Sequence, residues 1–375
     1  MNAAVTKPAL QVASARDLGP QFVENPHRMV GQDGAFSIPL EGNDQNGEAL
    51  WFFGDTLVGA RPTGHSIWQI DGKVVGPWDM SGRGTFERMI NNTALILPKQ
   101  TGRHGLKDFR YLLDETGGLK TLLPLEGDEH PDQIRMWCQH GICIGERVYL
   151  SFIKVRMLAE NTGPLPIAFE IIGSGLAVGR RREWKFTRLT GDSGEDDEDI
   201  LWRADQPHFA TAFLEHPSDG CVYLFGTVQR DSKQSCYVAC ACDDVGNPGA
   251  YKYLASLEPK WSANVADAIS VFDGMPSELS VSFNRHLGKF LAVHSLDLSG
   301  KIVARTAPEP WGLWSEPVTL WTVQAKHKFP RPYPITLIYA GKEHPELSSD
   351  SGRTIYLTYI EFEEYYPHLI EVTLA

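Results

Sequence analysis

Residues 31–40, GQDGAFSIPL, and residues 49–59, ALWFFGDTLVG, decide how the rest of the chain is read. The first is a short run in which apolar side chains alternate. The second is a dense apolar run, Leu50-Trp51-Phe52-Phe53. Between them lies a polar segment with Asn43, Asp44, Asn46 and Gly47, the residue types that turn a chain. Two short, strongly β-forming runs separated by such a segment read as an antiparallel hairpin. Asp33 stands just before the first strand and Asp55 just after the second. The start of one hairpin strand and the end of the next are neighbours. Connectivity alone therefore brings Asp33 and Asp55 to one end of a sheet.

The same unit recurs. ICIGERVYLSFIKV turns at Gly145-Glu146-Arg147, ATAFLEHPSDGCVYLFGTV at Ser218-Asp219-Gly220, and LSVSFNRHLGKFLAVHSL near His286-Leu287-Gly288. TLIYAGKEHPELSSDSGRTIYLTYI has a longer loop before Arg353. Each hairpin is followed by material for further strands: NNTALILP, GSGLAVG, CYVACAC, IVARTA and LIEVTL. Repeated four-strand units predict an all-β fold, a five-bladed β-propeller with long loops at one rim, spanning residues 1–375 as a single domain. A sandwich or jelly roll is the runner-up. The N-terminal ALQVASARDL could complete the last blade. Residues 61–84 form a long insertion in the first blade carrying Trp68 and Trp78, and such insertions often build binding walls. TGDSGEDDEDI, residues 190–200, reads as a solvated acidic loop.

Composition narrows the partners. The formal net charge is −12, which disfavours nucleic acid and anionic membrane but not a neutral polymer. No run approaches the roughly 20 apolar residues of a membrane span, and no secretory signal is visible. The expectation is a cytoplasmic protein, or a secreted or phage-released one given without its signal. Oligomeric state is left open. Cys236, Cys240 and Cys242 share strand parity and read as small buried thiols rather than metal ligands, which would have to converge on one point. A disulfide among the six cysteines is not excluded.

In a propeller the first strand of each blade lines the central channel, so the starts of these strands share a rim. Besides Asp33 and Asp55, this places there Trp137 and His140 of the second blade, His208 of the third, Glu278 of the fourth, and Tyr339, His344 and Glu346 of the fifth. Asn92 in MINNTALIL is a further candidate for ligand contact. Acids, histidines and aromatics at one rim suit sugar hydrolysis. Glycosidases commonly use two carboxyl groups around an oxocarbenium-like transition state. Aromatic faces stack on sugar rings. Each residue has a structural reading too: Asp33 and Asp55 as turn formers, the histidines as hydrogen-bonded core residues, Trp314 and Trp321 as inter-blade packing.

Together DGAFSIPL…LWFFGDT, PGAYKYL, ELSVSFNRHLGKFLAVH, PWGLWSEPVTLW and HPELSSDSGRTIYLTY resemble the domain of unknown function numbered 4185. Part of that group is recognised as endo-D-arabinanases, glycoside hydrolase family 183. The resemblance runs in order from about Asp33 to Tyr359. It implies a five-bladed propeller that cleaves arabinofuranosyl linkages in the D-arabinan of mycobacterial arabinogalactan or lipoarabinomannan, with its paired acids at Asp33 and Asp55.

The expectation is thus a glycoside hydrolase acting on a polysaccharide or oligosaccharide. Asp33 serves as base or nucleophile, Asp55 as general acid, and Glu278 stands in reserve for either role. Carboxyl groups about 5–5.5 Å apart give retention and about 6.5–9.5 Å inversion, and inversion is favoured. The rival from another class is a non-catalytic carbohydrate-binding propeller. A phosphorylase or transferase would need basic residues at the rim, with Arg305, Lys342 and Arg353 the ones to check. No cofactor is required, and no metal ligands can be named from spacing. A structural cation in the channel, touched by His140 or His344, is left open.

Overall fold

The computed structural model describes residues 10–40, 47–61, 69–70, 73–74, 85–160, 168–191, 197–230, 233–275, 277–324 and 337–375. Trp68, Trp78 and most of the 61–84 insertion lie outside them. Among the described residues the regular structure is β-strands and four short 3-10 turns. Every hairpin expected from sequence forms. Phe36–Pro39 pairs with Ala49–Phe53, Ile134–Ile144 with Arg147–Met157, and His208–Glu215 with Val222–Arg230. Leu279–Asn284 pairs with Lys289–Ser295, and Ile338–Glu343 with Thr354–Glu361.

Each hairpin opens a sheet of four or more strands, and successive sheets bury a shared apolar core. Phe36, Ile38 and Phe52 of the first sheet pack with Met136, Cys138 and Phe152 of the second. Tyr149 and Leu176 meet Phe209 and Leu224, joining second to third. Phe225 and Cys236 meet Leu279 and Phe290, joining third to fourth, with Trp314 packed alongside. Leu291 and Val293 meet Ile355 and Ile370, joining fourth to fifth, with Trp321 alongside. Trp51 and Leu95 meet Tyr356 and Leu369, which returns the fifth sheet to the first. Burying each such side chain contributes about 1.5–3 kcal/mol, so the ring of sheets is held by its inter-sheet cores. The outer strand of the fifth sheet is Val12–Pro20, paired with Pro367–Leu374, so the N-terminal segment closes the last blade as its sequence suggested. The fold is a β-propeller.

Two sequence readings are corrected. The end of the acidic 190–200 segment is not merely solvated. Asp199 is nearly enclosed and sits 2.7 Å from Arg188 and 3.3 Å from Lys154, because two buried cations there require carboxylate partners. Cys242 is not a free thiol like Cys236 and Cys240. The register Val222↔Ala241 sets Cys221 opposite Cys242, and the two form a disulfide.

Candidate active site

The hairpin that carries Asp33 and Asp55 is longer than its sequence shows. Phe36–Pro39 is preceded by Met29–Gln32, and Ala49–Phe53 is followed by Thr56–Ala60. The registers Phe36↔Phe52 and Gln32↔Thr56 are one register carried across a break, and it places Asp33 opposite Asp55. The break is built by backbone chemistry. Gly34 and Ala35 have φ of +79° and +56°, which interrupts the strand, and the Asp33 carbonyl accepts the amides of Ala35 and Gly54, each at 3.0 Å. At Gly54 a Cβ would lie 2.3 Å from Asp33 Oδ1, so glycine is needed for the carboxylate to occupy its place. Thr56 completes the Gly-Asp-Thr corner by donating its hydroxyl to the Gly54 carbonyl.

Asp33 and Asp55 keep different company. Tyr339 donates to Asp33 Oδ2 at 3.0 Å, and the Tyr365 hydroxyl also donates to Asp33. The Tyr365 carbonyl in turn accepts the Gln32 amide at 2.7 Å, so this tyrosine is fixed beside the break. Burial, then the charges of Asp55 and Glu278, push the Asp33 carboxyl up to about 7 against the two tyrosine hydrogen bonds. Burial lifts Asp55 to about 6, opposed by Arg135, whose Nε is 3.7 Å from Asp55 Oδ1. Neither of those two atoms has a hydrogen bond, although both are buried. Unsatisfied buried polar atoms are rare in folded proteins and mark candidate ligand sites. Glu278, at the start of the fourth inner strand, is raised by burial and held back by Lys342. Three carboxyls therefore converge on Asp33's side of the rim, with one cation beside Asp55 and another facing Glu278.

The other candidates divide. Tyr339 belongs to the site. Trp137 is half-buried, two residues along the same strand face from Arg135, with its ring edge-on to Phe169 at 4.7 Å. Asn92 is a correction. It is fully enclosed, and its amide bridges the Leu123 and Met136 carbonyls and the Leu123 amide, tying first sheet to second. His344 is another. Its ring is enclosed, both nitrogens meet hydroxyls (Ser37 at 2.8 Å, Thr358 at 2.7 Å), and Trp51 stacks on it at 4.0 Å. His208 turns inward to Ser174 at 3.3 Å, and burial drives it down to about 4.

His140 and Glu346 lie along the channel rather than at the carboxylate rim. A cavity of about 210 Å³ occupies the channel, with Ser37, His140, Phe213, Ser280 and Lys342 contributed by the five inner strands. All these strands start at the carboxylate rim, so Glu346, which follows the end of its strand, sits at the opposite mouth. Neither Asp33 nor Asp55 lines this cavity. Of the basic residues to check, Arg305 spends its guanidinium on the Ser315 and Asp273 carbonyls and Arg353 on that of Leu374, while Lys342 approaches the carboxyls. Among the described residues no group of three or more His, Cys, Asp or Glu is placed to hold a metal ion.

Arg135 and Tyr365 were not singled out from sequence. Arg135 lies in QIRMW, two positions before a residue that was, so strand parity could have found it. Tyr365 comes from the far end of the chain, and no local signal in EEYYPH points to Asp33.

The family model of the domain of unknown function DUF4185 matches residues 29–371. No curated protein matches the chain in sequence. A supposed hydrolase from Bacteroides ovatus superposes with a TM-score of 0.58 at 15% identity, covering 95% of this chain and 87% of that one. A GH43_1 enzyme from Xanthomonas citri gives 0.45 at 13% identity, covering 97% and 90%. The β-xylosidase RS223 gives 0.46 at 12% identity, covering 96% and 98%. The first of these is a likeness of fold.

Proposed function

The chain belongs to the DUF4185 family, and from that premise we propose that it is a glycoside hydrolase using Asp33 and Asp55, with arabinofuranosyl linkages of D-arabinan as its substrate and endo cleavage as its mode. The observation that carries the reading is the pair itself. Two aspartates face each other across a strand break, one lifted to about 7, the other to about 6 and set beside an arginine. Paired carboxyls whose surroundings separate their protonation are what acid–base cleavage of a glycosidic bond requires. The D-arabinan assignment rests on the resemblance of the sequence motifs.

The electrostatics favour roles opposite to those expected from sequence. Arg135 beside Asp55 stabilises the carboxylate, which suits a base or nucleophile. Asp33, among carboxyls, is the better holder of a proton and suits the general acid. Because the two interact, the pH profile reports the pair. A bell with limbs near 6 and 7 is the expected form.

The test is to incubate the protein with arabinogalactan or lipoarabinomannan and analyse released oligosaccharides for wild type, D33N and D55N. Products from wild type alone support the reading, and equal release by the variants would sink the site. Absence of products from every arabinan would favour the carbohydrate-binding alternative. An aryl oligo-arabinofuranoside, whose leaving group needs no proton, separates the roles. D33N should retain more turnover on it than D55N.

A further inference from the structure

Tyr339 and Lys342 are three residues apart on the fifth inner strand, and in a regular strand they would point to opposite faces. They do not. The registers Tyr339↔Ile360 and Lys342↔Thr358 differ by one residue, and Ala340 has φ of +58°, so a bulge lies between them. Gly341 anchors the bulge to the fourth sheet. Its amide donates to Ser295 Oγ at 3.0 Å, and a Cβ there would come within 2.6 Å of that oxygen. The result is that Tyr339 grips the Asp33 side chain while Lys342 Nζ donates to the carbonyl of the next residue, Gly34, at 2.5 Å. Lys342 also donates to the Ala340 carbonyl at 2.9 Å and lies 4.1 Å over the Phe36 ring. It is 1% exposed, and a lysine so enclosed is costly unless its charge is used.

We propose that Lys342 is a positioning residue: across the Ala340–Gly341 bulge it pins the strand break that carries Asp33 and presents a positive charge to Asp33 and Glu278 together. The charged and titratable groups around it are Asp33 from the break, Glu278 from the fourth sheet, His140 from the second, and Tyr339 and His344 on its own segment. Burial pulls the ammonium down to about 7, and Glu278 and Asp33 work to keep it protonated. The two histidines are driven neutral by burial, so the balance is struck between one lysine and the carboxyls. For its activity readout this proposal rests on the hydrolase reading; its stability readout does not.

The test uses K342M, E278Q and K342M/E278Q in the full chain. Thermal unfolding at pH 7 should show K342M/E278Q unfolding at a higher temperature than K342M, because removing both partners leaves no uncompensated charge. Strictly additive losses would overturn the charge pairing. Should K342M not fold, a folded double variant supports the proposal, and failure of both while E278Q folds overturns it. On whatever glycan the wild type cleaves, the alkaline limb of kcat/KM in K342M, the limb set by Asp33 as general acid, should move up by about one pH unit or more. A fall in rate with an unmoved limb would reduce Lys342 to packing. If wild type cleaves nothing, the hydrolase reading fails while the unfolding cycle still decides this one.

Discussion

Asp33→Asn should stabilise the protein at alkaline pH while abolishing its activity. Folding raises the Asp33 carboxyl from 3.8 to about 7, so the fold favours the protonated form. Stability is therefore present in full below 3.8 and declines as pH rises through about 7, where the fold must accept a charge it disfavours. At about 1.4 kcal/mol per pH unit the ceiling of this penalty is about 4 kcal/mol. Asp33 is only half-buried, and asparagine keeps at best part of the tyrosine hydrogen bonds, so about 2 kcal/mol is the working figure. Unfolding entropy of about 2.1 cal/mol/K per residue over this chain converts that to a Tm rise of about 2–3 °C. At pH 3.5 Asp33 is largely protonated in the folded and the unfolded chain alike, and the two proteins should unfold nearly together. The assay is thermal unfolding of both at pH 3.5 and 8.5, beside product release from arabinan. Activity should fall by about 10²–10⁴-fold if Asp33 handles a proton in the reaction. An offset identical at both pH values, or D33N less stable at pH 8.5, would refute the electrostatic account of this site.

Two further outcomes follow from particular contacts. Gly54→Ala forces a methyl to within 2.3 Å of Asp33 Oδ1, and displacing the carboxylate by about 1 Å should cost about 100-fold in kcat with the fold intact, so an unchanged kcat would show that its place does not matter. His368→Gln tests the closure of the last blade. Burial alone would lower His368, but hydrogen bonds to Asp17 and Glu364 lift it to about 9, so its contribution is full below 6.5 and lost as pH rises through 9. Allowing for the partial exposure of Asp17, H368Q should lose about 2 kcal/mol at pH 6 and little at pH 10. A pH-independent loss of Tm would point to packing alone.

How much of this could be read beforehand varies from residue to residue. The hairpins were legible because alternation and turn residues are local signals, and each apolar run found its partner within a few positions. Tyr339 was legible because it begins an inner strand. Asn92, His208 and His344 misled for a common reason. A polar residue near a rim has the same sequence signature whether it faces solvent or satisfies buried groups behind the strand, and here Ser174, Ser37, Thr358 and the Leu123 and Met136 backbone receive those side chains. His140 was assigned to the correct inner strand but not to its depth, and Glu346 to the start of a strand whose end it follows, since pattern fixes parity and not height along a channel.

By itself the sequence determined the class of fold, the ring of repeated hairpins and the meeting of Asp33 with Asp55, because antiparallel connectivity brings the start of one strand beside the end of the next. Tertiary structure alone decided what that meeting means chemically. Arg135 reaches Asp55 from the second sheet, Glu278 faces inward from the fourth, and Tyr339, Lys342 and Tyr365 converge from the fifth. The protonation of a carboxyl depends on burial and on charges a few ångströms away, and those neighbours are supplied by closing the ring.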